Sequence, residues 1–121
     1  MQVVAQPGLT RIKLCALAEI PDAGALELEH DGDSLVLLRY GAQAYAYLNV
    51  CPHAGRPLNW APGRFLVAHG QLVCASHGAA FKAETGECIG GPCKGSSLRA
   101  FKLEVDDLQV YLRVENPPSS S

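Results

Sequence analysis

The chain lacks any excess of positive charge: 10 Lys and Arg stand against 12 Asp and Glu, a formal net charge of −2. A phosphate-binding surface needs a basic surplus, so the composition excludes nucleic acid as a partner. Long apolar runs are also missing; none approaches the ~20 residues that span a bilayer. The opening residues, Met1 to Gly8, have neither a charged start nor an apolar signal core. These absences set the expectation of a cytoplasmic, freely diffusing protein with no membrane partner. Helical periodicity is scarce, with at most one turn around Leu17 to Ile20. The five cysteines are an odd number, which argues against a purely disulfide framework. At 121 residues the chain has the length of one domain with a single core.

What is there is mostly β. Residues 25–30 alternate apolar and polar side chains, as a half-buried strand does. Asp31-Gly32-Asp33 signals a turn into a strand over 34–40, and Gly41 separates that run from the next strand, 43–49. A hairpin about His69-Gly70 joins 64–68 to 71–74. Near the end, Phe101, Leu103 and Val105 alternate with Lys102 and Glu104; beyond an Asp106-Asp107 turn, Leu108, Val110, Leu112 and Val114 alternate with polar neighbours. Short strands with frequent turns predict an all-β antiparallel sandwich or barrel. Residues 50–63 and 76–95 hold too much Pro and Gly for strand or helix interiors and read as loops at the ends of hairpin strands. Residues 116–121 have little reason to order.

Both loops carry the same chemistry. Cys51-Pro52-His53 and Cys74-Ala75-Ser76-His77, separated by 20 residues, each offer one thiolate and one imidazole. Two sulfurs and two nitrogens suit a binuclear iron–sulfur cluster with one iron held by Cys and the other by His. They equally suit one tetrahedral zinc. Gly55 lies two residues after His53, and Gly78 directly follows His77. Glycine lets a loop turn sharply and approach an inorganic group with its backbone.

Cys51-Pro52-His53-Ala54-Gly55 followed by Cys74-Ala75-Ser76-His77-Gly78 resembles the two cluster-binding loops of Rieske proteins. The likeness continues into Phe81, Thr85-Gly86 and Gly91-Pro92, and extends in general form over about residues 10–115. The resemblance implies three antiparallel sheets in one domain, 1–121, with a cluster-binding subdomain at about 50–95. It implies one [2Fe–2S] cluster, with Cys51 and Cys74 on the inner iron and His53 and His77 on the outer one, and no catalytic residue. Two neutral imidazoles in place of thiolates make reduction less costly, so such centres span roughly −150 to +300 mV. The non-ligating imidazole nitrogens can carry protons.

Departures from the high-potential Rieske proteins are informative. The cysteine pair that ties the two loops together there is matched by Arg56 and Ser76. The Ser and Tyr that donate hydrogen bonds to sulfur are matched by Ala79 and Phe81. Fewer donors lower the potential, so the expected midpoint lies near the lower end of the range. The implied function is that of a soluble ferredoxin, passing single electrons from a flavin-dependent reductase to a terminal oxygenase. Alternatives are a small Rieske-like subunit of a nitrite reductase or similar complex, a zinc-stabilised binding module, and redox sensing through Cys88 and Cys93. Cys15 reads as a small buried residue. His30 and His69 read as structural or surface residues, and Trp60 as packed beneath the first loop with docking as the alternative. Pro92 is expected to cap the cluster.

Overall fold

The computed structural model describes residues 9–52, 55–74, 78–91 and 95–115. Eleven strands run in the order β1 (Leu9–Ala16), β2 (Gly24–His30), β3 (Asp33–Tyr40), β4 (Gln43–Leu48), β5 (Leu66–Ala68), β6 (Gln71–Val73), β7 (Ala80–Lys82), β8 (Cys88–Gly90), β9 (Ala100–Phe101), β10 (Leu103–Asp106) and β11 (Gln109–Glu115). The expected single helical turn is a 3-10 turn over Leu17–Glu19. Three antiparallel sheets form, ordered β1-β11-β10, β2-β3-β4-β9 and β5-β6-β7-β8.

The β2-β3-β4-β9 sheet is the middle layer, and β3 explains why. Leu35, Val36, Leu37 and Leu38 are consecutive and all essentially inaccessible. A strand buried on both faces needs such an unbroken apolar run, whereas a half-exposed one alternates. Leu35 and Leu37 face a core shared with Cys15, Leu17, Ile20 and Val110. Val36 and Leu38 face a second core, with Tyr47, Leu58, Leu72, Phe81 and both Cys51 and Cys74. Cys15 is the buried small residue expected, and burial pushes its thiol pKa up, with Glu19 adding to the effect.

Two hairpins turn as the sequence predicts. Asp31-Gly32 and His69-Gly70 have positive φ at both turn residues, the backbone twist that matches a two-residue β-turn to its strands. Four details differ from the expectation. β1 escapes the alternation pattern because its pairing with β11 shifts register between Lys13 and Cys15, which breaks the two-residue period. The last hairpin turns at Asp107-Leu108, one residue later than expected: Asp106 pairs with Gln109, and Leu108, with φ 64°, is exposed. The run from Phe101 to Val105 is divided, β9 pairing with β4 and β10 with β11, so it crosses between sheets at Lys102. Finally, the Gly-rich stretch 76–95 holds two strands, β7 and β8. The expected tail at 116–121 lies outside the described residues.

Candidate metal centre

Cys51 follows β4 and Cys74 follows β6, and both are completely buried in the same core. The two segments are hydrogen-bonded alike. Cys51 N–H donates to the Arg56 carbonyl at 2.7 Å, and Gly55 N–H donates to the Cys51 carbonyl at 2.8 Å. In the second segment Cys74 N–H donates to the Ala79 carbonyl at 2.7 Å, and Gly78 N–H to the Cys74 carbonyl at 2.9 Å. Each loop is therefore a closed turn headed by a buried cysteine and ended by a glycine. Gly55 and Gly78 have φ of 67° and 71°, a region where a Cβ meets the backbone. A Cβ added at either would meet nothing else within 4 Å, so the backbone conformation, not space, requires glycine there.

Among the described residues neither Cys51 nor Cys74 is in a disulfide. Two buried thiols with no bond to each other, each at the start of the same tight turn, fit a group that takes thiolate ligands from both loops. His53 and His77 lie outside the described residues, as do Ser76, Pro92 and Cys93. Among the described residues alone no three His, Cys, Asp or Glu side chains gather to hold a metal. Cys88, the other cysteine of this region, is buried, and its Sγ–H donates to the Gly90 carbonyl at 3.2 Å.

Three supports of the site have roles that only the structure shows, although Gly86 and Gly91 already belong to the stretch that carries the resemblance. Asn49 is the buried polar residue of the core among the described residues, and it is hydrogen-bonded on every side. Its Oδ1 accepts from Leu58 N–H at 2.8 Å, and its Nδ2 donates to Ser34 Oγ at 3.1 Å and to Asn59 Oδ1 at 2.9 Å. Ser34 Oγ in turn donates to Glu27, whose other oxygen accepts from Gly63 N–H at 2.8 Å. This polar chain ties the first ligand loop to β2 and β3. The only hint in sequence is an Asn at the end of an apolar strand, two residues before a cysteine.

The second support is Gly91. A Cβ there would lie 2.7 Å from the Ala79 Cα, and its φ is 91°, so the chain where it leaves β8, the start of a third loop, is pressed against the backbone of the second ligand loop. The third is Gly86, where a Cβ would lie 2.7 Å from the Tyr47 ring. The Tyr47 hydroxyl donates to the Ala83 carbonyl at 2.7 Å, which joins β4 to the end of β7. Burial, aided by Tyr45 and Glu84, pushes the Tyr47 pKa up to about 12.

Two other expectations find their outcome here. Ala79 and Phe81 are both fully buried in the core that contains Cys51 and Cys74, as their place beside the ligand loop implies. Trp60 is not packed beneath the first loop. It is 61% exposed, while Leu58 takes the fully buried position. Only Asn59 separates them, and the turn that buries one directs the other outward.

Comparison with known proteins places this geometry. Residues 10–111 match the family model described as the Rieske [2Fe-2S] domain. The chain is 24% identical over 106 residues to the 3-phenylpropionate/cinnamic acid dioxygenase ferredoxin subunit of Photorhabdus laumondii subsp. laumondii, a match covering 88% of this chain and 96% of that protein. It is similar to the ferredoxin of carbazole 1,9a-dioxygenase from Nocardioides aromaticivorans IC177, with TM-score 0.72 and 26% identity over 85% of this chain and 96% of the other. A chain in the complex of reduced oxygenase and oxidised ferredoxin in carbazole 1,9a-dioxygenase is similar at TM-score 0.73 and 26% identity, covering 90% of this chain and 97% of that one. The family carries one Rieske-type [2Fe–2S] cluster, which overturns the zinc alternative. With two buried thiols heading twin glycine-ended turns on three stacked antiparallel sheets, the chain belongs to the Rieske [2Fe-2S] domain family.

Proposed function

We propose that the protein is a one-electron carrier of the ferredoxin type, holding its single [2Fe–2S] cluster through Cys51, His53, Cys74 and His77. Cys51 and Cys74 bind the inner iron and His53 and His77 the outer one. The observation that carries this reading is the pair of fully buried, identically turned cysteines, on a chain similar along most of its length to a dioxygenase ferredoxin subunit. The bound cluster supplies a one-electron couple. The protein's own part is to bury the thiolates, fix both loops through backbone hydrogen bonds, and keep the β scaffold rigid so that little reorganises when the electron arrives.

The donor in this reading is a flavin-dependent reductase, which gives one electron at a time, and the acceptor is a terminal oxygenase, which takes each electron in turn. The chain is thus a component of an oxidoreductase system and not itself the catalyst. Residues of about 50–95, which contain the sheet β5-β6-β7-β8, act as a cluster-binding subdomain within one domain. A cytoplasmic location belongs to this reading, and Cys15, a buried thiol that is in no disulfide, is consistent with a reducing compartment. Among the described residues no helix is long and apolar enough to cross a membrane.

The test is preparation of the protein under anaerobic conditions with analysis of iron, labile sulfide and zinc. The expected product is red-brown and, once reduced, gives a rhombic EPR signal with average g below the free-electron value. It restores turnover to a reductase–oxygenase pair lacking its carrier. A colourless protein with one zinc and no labile sulfide refutes the reading. His53→Cys and His77→Cys should each shift that EPR signal toward the four-cysteine type.

A further inference from the structure

Trp60 is the one tryptophan of the chain, and its exposure is not that of a loose side chain. Its backbone N–H donates to the Arg64 carbonyl at 3.0 Å, and Arg64 N–H returns to the Ala61 carbonyl at 2.9 Å, so residues 60–64 form a closed miniature hairpin. Asn59 holds one end, with Nδ2 donating to the Ala61 carbonyl at 2.9 Å. Glu27 holds the other by accepting from Gly63 N–H. The Arg64 guanidinium lies over the indole, 5.8 Å from the ring centroid. A large aromatic surface is thus fixed outside the core in advance. That is how interface anchors behave, because little conformational entropy remains to be lost on binding.

The stretch of sequence that contains it carries charge of one sign. From Ser34 to Ala83 the chain carries Arg39, Arg56, Arg64 and Lys82 and not one Asp or Glu; all 12 acidic residues lie outside that span. Arg56 and Arg64 are both exposed, and Leu66, 51% exposed, adds apolar surface beside the hairpin. Glu27 is the carboxylate in contact with the hairpin, and both its oxygens are engaged, by Ser34 Oγ and Gly63 N–H. A protein of net charge −2 therefore exposes two arginines and a tryptophan along its first ligand loop.

We infer that the Trp60–Arg64 hairpin, with Arg56, is the docking face for an acidic redox partner, one that offers Trp60 an apolar recess ringed by carboxylates. The inference rests on the one-electron reading of the site. The cations steer the encounter and set orientation, and Trp60 supplies the buried contact. Docking here holds the partner against the first ligand loop.

The experiment uses the full cluster-loaded chain and gold surfaces as the stand-in for the partner. One surface carries mixed carboxylate- and methyl-terminated alkanethiols, the other ammonium-terminated ones. Adsorbed mass on a quartz crystal and the one-electron voltammetric wave are recorded together. The wild-type protein should adsorb and exchange electrons on the carboxylate/methyl layer at low salt, and weakly on the ammonium layer. Trp60→Ala should weaken adsorption about tenfold, and the double variant Arg56→Gln/Arg64→Gln should abolish its salt dependence. Neither variant should change the type of EPR signal, since none of Trp60, Arg56 and Arg64 supplies a cluster ligand. Equal adsorption on both layers, or adsorption unmoved by both variants, overturns the docking face. Variant-sensitive adsorption with no redox wave supports the face and instead overturns the one-electron reading.

Discussion

At the scale of single residues, the site depends on groups whose roles differ although their burial is the same. Phe81 is fully buried in the core that contains both cysteines, and it offers no donor. A hydroxyl introduced there by Phe81→Tyr should donate to cluster sulfur, stabilise the reduced state and raise the midpoint. One hydrogen bond of about 1 kcal/mol corresponds to roughly 40 mV for a one-electron couple; redox titration of the variant checks this, and an unchanged or lowered potential refutes it. Asn49 acts on the loop instead of the cluster. Asn49→Ala removes three side-chain hydrogen bonds and leaves Leu58 N–H, at a fully buried residue, without its acceptor. The expected cost is about 2–3 kcal/mol, read by denaturant unfolding, together with faster iron release on challenge with a chelator.

At the scale of elements, the second ligand loop is held against the segment that follows β8 by a close backbone approach. Gly91 illustrates this. Its positive φ and the 2.7 Å approach to Ala79 Cα mean that any side chain there must push the third loop away from the second. Gly91→Ala should leave the sheets folded, since Gly91 lies beyond the end of β8 and in no strand, yet increase solvent access to the cluster. The measurement is the half-life of the visible absorption in air, which should shorten several-fold, with the far-UV spectrum unchanged. A variant as long-lived as the wild type would show that this contact does not protect the site. The miniature hairpin of residues 60–64 is the counterpart on the first loop, pinned by Asn59 and Glu27.

For the whole molecule, two properties follow from how the layers are joined. Tyr47 links the middle sheet to the cluster-end sheet through its hydrogen bond to the Ala83 carbonyl. Its folded-state pKa of about 12 exceeds the ordinary value of 10, so the folded state keeps a proton that the unfolded state releases. Stability from this group is complete below pH 10 and is lost as pH rises through about 12, a loss of roughly 2 kcal/mol. Denaturant midpoints measured across that window should fall, and Tyr47→Phe should flatten the fall. The second property is the potential. With Ala79 and Phe81 as fully buried, donor-free side chains and Arg56 where the high-potential proteins have a cysteine, the midpoint should lie near the lower end of roughly −150 to +300 mV. A titration above roughly +100 mV would refute that.

Much of this was legible in the sequence, and for identifiable reasons. The two C/H patterns, their glycines and the strand alternation are local, because ligand type, backbone freedom and a two-residue period are each properties of a few consecutive residues. The middle hairpins followed from the alternation, whereas the three-sheet architecture came from the resemblance carried by the ligand loops; the alternation alone fits a sandwich or a barrel. What needed the tertiary structure is non-local. Leu58 and Trp60 have similar apolar character, yet one is buried and the other exposed, because hydrogen bonds that join Asn49 to Leu58 and Asn59, and Gly63 to Glu27 of β2, set the path of the loop. β1 was hidden by a bulge that only its pairing with β11 reveals. The run from Phe101 to Val105 is continuous in pattern but belongs to two sheets, since a strand that changes partner need not change its alternation. Sequence by itself determined the ligands on offer and the family of cluster they suit. The tertiary structure decided which backbone turns present the cysteines, which glycines keep the loops in contact, and which side of the first loop faces outward. Those depend on contacts between residues far apart in the chain.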